Sequence, residues 1–150
     1  IGVRLVGSEM CIRDRNNDSL LQQNQAQVYN EISEDLPPIN GDKRLLSSAF
    51  KHLLSNALKH NPPGVTITLD AKVDKDMIYC SFIDDGIGMN EAQCQGLFKL
   101  YVRSLYNHRL TGIGLGSYQC RQIIEAHGGR IGVYSRLHEG THIWLTLPIR

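Results

Sequence analysis

The stretch Val65–Val73, VTITLDAKV, alternates apolar and polar residues without a break. That period of two describes a strand with one buried and one wet face. Asp74-Lys75-Asp76 makes a turn, and MIYCSFI from Met77 follows as a second, more apolar strand. A sheet that buries one face needs a second layer to cover it. The chain supplies helices for that purpose. From Lys43 to His60, Leu46, Ala49, Phe50, Leu53 and Ala57 recur at three- and four-residue steps, with Asp42 at the N-cap position. Asn61-Pro62-Pro63-Gly64 stops this helix.

Further along, residues 91–103 read as helical, and the polar stretch SLYNHRL leads to glycines 112, 114 and 116. A helix follows these glycines to about His127, where Gly128-Gly129 forms the C-cap. RIGVYS and THIWLTL make a last strand pair across LHEG, and QVYNEI reads as a short edge strand. The expected fold is an α/β two-layer sandwich: a mixed, mostly antiparallel sheet with about three helices on one face.

At 150 residues the length suits one compact domain. No apolar run approaches the roughly 20 residues needed to span a bilayer, so no membrane contact is expected from this segment. Net charge is +1, with no basic stripe, which argues against a nucleic-acid partner. Cys11, Cys80, Cys94 and Cys120 show no CxxC and no metal-like pairing with histidine, as expected of reduced thiols in a cytoplasmic protein.

The first residues read as foreign. LVGSEMCIRD, Leu5 to Asp14, is the translation of CTC GTG GGC TCG GAG ATG TGT ATA AGA GAC, which resembles a transposase-end adapter used to prepare sequencing libraries. Residues 1–15 are therefore expected to be read-through and are set aside from fold reasoning. Residues 16–34 read as a linker or lead-in, and 35–150 as the domain. On this reading the native gene is longer, leaving room for an upstream domain or a signal peptide.

Most nucleotide motifs fail. There is no Gly-Lys pair for a P-loop, and glycines 112, 114 and 116 run GxGxG, not GxGxxG. An EF-hand reading of DDG would place Ser81, Ile83 and Ala92 as ligands, which cannot chelate calcium. Four stretches remain. In HLLSNALKH, at roughly 100° per residue, His52, Asn56, Lys59 and His60 share one side of a helix whose adjoining side is apolar. An amide oxygen and an ammonium suit a Mg²⁺-polyphosphate, although a solvated face would carry the same residues. FIDDGIGM ends a strand in Asp84 and Asp85 and then Gly86 and Gly88. It reads either as a plain turn or as a carboxylate and bare backbone against a flat ring that carries an amine. LFKLYVR places Arg103 at a helix end, suited to phosphate oxygens. TGIGLGSYQCRQIIEAHGG sets glycines before a helix, where freed N–H groups and the helix dipole favour an anion.

In order and spacing these stretches resemble the N, G1, F and G2 boxes of the ATP-binding catalytic domain of sensor histidine kinases. That domain is a branch of the Bergerat-type ATPase superfamily, with gyrase, the ninety-kilodalton heat-shock chaperone and mismatch-repair ATPases. The resemblance runs from about Asp35 to Ile149 and includes the lead-in DLPPINGD and the closing LTLPI. It implies that Asn56 holds the Mg²⁺ bridging the ATP phosphates, with Lys59 and His60 near phosphate. It also implies that Asp84 bonds the adenine amine, that Gly86 and Gly88 shape the pocket, and that Asp85 is a solvated neighbour. Arg103 would approach the γ-phosphate and residues 104–113 would form a mobile lid. Gly112, Gly114, Leu115 and Gly116 would hinge that lid and cradle phosphate.

The implied reaction is γ-phosphoryl transfer to a histidine on a dimerisation domain, then relay to a response-regulator aspartate. None of the six histidines lies in a stretch resembling HELRTPL, so the acceptor is expected elsewhere and this piece alone is expected to be monomeric and unable to phosphorylate itself. Three positions depart from the family pattern: His52 where Asn or Glu is common, Leu100-Tyr101 in place of Pro-Phe, and Ser117 where Leu is usual. The alternatives are a stand-alone anti-sigma-factor-type serine kinase, a degenerate nucleotide-binding scaffold, and a sandwich with no ligand.

Overall fold

The computed structural model describes residues 2–3, 21–99 and 111–149. Gly2–Val3 (β1) pairs antiparallel with Ile39–Asn40 (β3). The main sheet contains Gln27–Asn30 (β2), Thr66–Asp74 (β4), Met77–Asp84 (β5), Arg130–Ser135 (β6) and Thr141–Pro148 (β7), in the order β2-β4-β5-β7-β6. The edge strand β2 runs parallel to β4 and every other pairing is antiparallel. This is the expected mixed sheet, and Lys43–Lys59 (α1), Glu91–Gly96 (α2) and Thr111–Ala126 (α3) are helices among the described residues. Gly2–Val3 falls within the stretch expected to be foreign; most of that stretch lies outside the described residues.

Register explains the core. Leu69 pairs with Phe82 and Ala71 with Cys80, while Phe82 pairs with Ile143 and Cys80 with Leu145. The period of two therefore gathers Ile67, Leu69, Ala71, Ile78, Cys80, Phe82, Ile143, Leu145 and Leu147 on one face, and all are buried. From α1, Leu46, Ala49, Phe50, Leu53, Leu54 and Leu58 meet them; Phe50 packs edge-on to Phe82 with ring centroids 5.3 Å apart. Each large apolar side chain so buried contributes roughly 1.5–3 kcal/mol.

Helix ends are built as their residues require. Asp42 caps α1, its Oδ1 accepting from the N–H groups of Arg44 (2.9 Å) and Leu45 (3.2 Å). The Asp42 N–H in turn donates to His127 Nε2 at 3.0 Å, while His127 Nδ1 lies 2.7 Å from the Ile123 carbonyl, to which it donates. One neutral imidazole thus ties the start of α1 to the end of α3. Gly128, at φ +82, and Gly129 close α3 by donating to Glu125 and Ile124, the two bonds of a Schellman cap.

Two helix boundaries differ from expectation. The helix expected over 91–103 ends at Gly96, because glycine weakens a helix and the chain tightens into short i→i−3 bonds at Leu97 and Lys99; residues 100–103 lie outside the described ones. Conversely, α3 begins at Thr111, so Gly112, Gly114 and Gly116 lie inside its first turns and do not precede it. Each residue added to an existing helix gains a hydrogen bond without a new nucleus, which offsets glycine's intrinsic cost of about 1 kcal/mol. The first four N–H groups of such a helix still have no partner within it.

Candidate functional site

The half-buried Asn56 sits on α1, with Lys59 at its exposed last residue and His60 as its C-cap. His52, one turn before Asn56, is half-buried. Its ring is held below the ordinary histidine pKa of 6.5, first by burial and then by the Lys59 ammonium and His60. Burial and Lys59 lower His60 in the same way. Both shifts favour the neutral ring on this face of α1.

Asp84 ends β5 opposite Thr141. Its Oδ1 accepts from the Gly86 N–H at 2.9 Å. Burial raises its pKa above 3.8; the Gly86 and Thr141 N–H groups pull it back, the charge of Asp85 adds to the rise, and an Asn61 hydrogen bond opposes it. A carboxylate offers about four lone-pair sites. Three protein donors leave it acceptor capacity for one more.

Asn61 is the residue that the sequence reading missed, taking it only as part of a helix stop. Its Nδ2–H donates to the Ala57 carbonyl at 2.7 Å, and its Oδ1 accepts from the Ile87 N–H at 2.9 Å. It therefore ties the end of α1 to the loop after β5. A Cβ at Gly86 would overlap this amide, so the bare backbone there makes room for Asn61. The sequence signal was an Asn directly after the helix whose side chain could satisfy a terminal carbonyl.

Gly88 is required for a different reason. It sits at φ +72, and a Cβ there would overlap the Arg136 carbonyl oxygen. Around it the loop is pinned to the turn between β6 and β7: His138 N–H donates to Ile87 O at 2.7 Å, and Met89 N–H donates to Ser135 Oγ at 2.8 Å. Asp85 does more than face solvent. It is exposed, yet its Oδ1 accepts from the Thr66 N–H at 2.7 Å and its own N–H donates to Thr66 O, so it fastens the head of β4.

An open groove of about 710 Å³ runs along α2 and the β6–β7 turn, lined by Asp84, Met89, Cys94, Ser135, Gly140 and Thr141 among others. Its lining includes Asp84 but neither Asn56 nor Lys59. Ser117 and Gly116 of α3 lie against His52, so the glycine-rich start of α3 borders the Asn56 face. Arg103, Leu100 and Tyr101 lie outside the described residues, as do residues 104–110 of the expected lid. Among the described residues no group of three or more His, Cys, Asp or Glu is placed to hold a metal ion.

This sheet, with its helices on one face, is the architecture of histidine kinase catalytic domains. The catalytic domain of the histidine kinase ThkA matches it with a TM-score of 0.80 over 96% of this chain and 92% of that one, at 20% identity. Full-length ShkA, solved in complex with AMPPNP, matches with a TM-score of 0.80 over 99% of this chain and 30% of that one, at 21% identity. The likeness at such identities is one of fold. Residues 41–150 match the family of histidine kinase-, DNA gyrase B- and HSP90-like ATPases. The chain belongs to that family. Among its curated relatives, the adaptive-response sensory kinase SasA of Synechococcus elongatus is 35% identical over 126 residues, which is 83% of this chain and 33% of the relative. The alginate biosynthesis sensor protein KinB of Pseudomonas aeruginosa is 32% identical over 119 residues, 79% of this chain and 20% of the relative. The chain thus spans about a third or less of these relatives. Among the described residues no helix is long and apolar enough to cross a membrane.

Proposed function

We propose that residues 35–150 bind ATP and act as the catalytic domain of a two-component sensor histidine kinase. The γ-phosphoryl group would pass to a histidine on a dimerisation domain outside this chain, then to an aspartate of a response regulator. The observation that carries the ATP reading is Asp84: a carboxylate held by Gly86, Thr141 and Asn61 at a strand end, with room for one further donor such as the adenine exocyclic amine. Sensor-kinase relatives support a histidine acceptor over the serine of an anti-sigma-factor-type kinase.

The donor set fits Mg²⁺ carried on nucleotide phosphates, since that ion keeps most of its waters and takes few protein ligands. Asn56 would hold it through its amide oxygen. Bound there, the ion would neutralise phosphate charge. Lys59 and His60 would orient the phosphates, and Arg103 would approach the γ-group. The start of α3, Gly112 to Gly116 with Leu115, would border them. Transfer breaks the bond between the γ-phosphorus and the bridging oxygen and forms a phosphorus–nitrogen bond to the acceptor imidazole, so positioning and charge carry most of the work. ATP supply sets the domain on the cytoplasmic side.

Calorimetric titration of the chain with ADP and AMPPNP, with and without Mg²⁺, tests the reading. Micromolar binding lost in Asp84→Ala, and made Mg²⁺-independent in Asn56→Ala, is the expected result. A folded wild type that binds neither nucleotide at millimolar concentration refutes it and favours the scaffold alternative.

A further inference from the structure

Two departures from the family pattern, 65 residues apart in sequence, meet in the structure. His52 Nε2 lies 3.4 Å from Ser117 Oγ, and Ser117 is fully buried, at 0% exposure. The imidazole also lies over Gly116: a Cβ there would overlap the ring. One turn further along α3, Cys120 Sγ lies 3.4 Å from the Ala49 carbonyl of α1. Small residues thus bring the two helices together, and His52 fills the end of their interface nearest the glycine-rich start of α3.

We propose that His52 and Ser117 form a latch that sets the start of α3 against the Asn56–Lys59 face, making His52 a positioning residue for the nucleotide phosphates. The inference rests on the ATP-binding reading above. His52 lies one helical turn before Asn56 on the same face of α1, and its ring meets α3 at Ser117. A buried hydroxyl needs a partner, and the imidazole provides one that can donate or accept. The ring's depressed pKa keeps it neutral near pH 7, so the latch adds no charge beside Lys59. The glycine at 116 and the serine at 117 are then explained together: one admits the ring, and the other bonds it.

The test compares AMPPNP with adenosine, both with Mg²⁺, because the latch acts on phosphates and Asp84 on the base. Ser117→Ala and His52→Leu are expected to weaken AMPPNP roughly three- to tenfold, the range of one ordinary hydrogen bond, with adenosine unchanged. His52→Gln, which restores a polar nitrogen near the Nε2 position, should recover most of the loss. Gly116→Ala should cost less in a His52→Ala background than alone, since the ring it displaces is already gone. Equal AMPPNP affinity in wild type and Ser117→Ala, or equal losses for adenosine and AMPPNP, overturns the latch while leaving ATP binding intact. A wild type that binds AMPPNP in no condition overturns both.

Discussion

Replacing Asn61 with alanine should separate a helix stop from a site-building residue. The change removes the 2.7 Å bond to Ala57 O and the 2.9 Å bond to the Ile87 N–H, together with the hydrogen bond to Asp84. A net intramolecular hydrogen bond is worth about 1 kcal/mol. Ile87 is exposed, so water replaces part of what is lost, and the cost should be about 1–2 kcal/mol in total. For a domain of this size that lowers Tm by roughly 4–8 °C. Nucleotide affinity should fall about tenfold, because Gly86 and Ile87 lose their anchor and Asp84 one of its donors. Asn61→Asp keeps an acceptor for Ile87 but places a charge beside Asp84, so its binding loss should exceed that of alanine at neutral pH. Thermal melting and calorimetry with ADP read both effects. If Asn61→Ala keeps the wild-type Tm and binds ADP as wild type does, the clamp between α1 and the loop after β5 is refuted.

Asp84→Asn should exchange binding for stability. Burial raises the folded Asp84 pKa above 3.8, so the folded chain holds the proton over a window in which the unfolded chain has lost it. Stability therefore falls as pH rises through that window. The variant should melt above wild type at pH 7, lose that gain below pH 3.8, and bind no adenine nucleotide at pH 7; a lower Tm at pH 7 would contradict the sign. Gly88→Ala, at φ +72 and against the Arg136 carbonyl, should cost about 2–4 kcal/mol, from left-handed strain and displacement of the loop together. Gly64→Ala provides the control, with φ +97 and nothing within 4 Å of the new Cβ, so strain acts alone there. Equal melting temperatures for the two alanine variants would mean that the loop and turn do not meet as described.

Much of the fold was legible because it follows from local rules. Alternation over Val65–Val73 specified which face of β4 is buried, and a one-residue slip would have inverted it. Asp42 and Gly128-Gly129 marked helix ends through their own backbone chemistry. The start of α3 was misjudged because glycine's preference for loops is weak, while extending an existing helix costs little.

At the candidate site the division has a different cause. The sequence by itself determined which groups are offered: an amide and an ammonium on one helical face, a carboxylate at a strand end, and glycines where side chains are excluded. Helical and strand periods are properties of neighbouring residues, so one dimension suffices to read them. Only the tertiary structure decided what those groups touch. It gave Gly86 to Asn61, Gly88 to Arg136 and Gly116 to His52, and it set the exposed Asp85 against the Thr66 backbone at the head of β4. Contacts across 26, 48 or 65 positions depend on how the layers pack, and no local pattern carries that information.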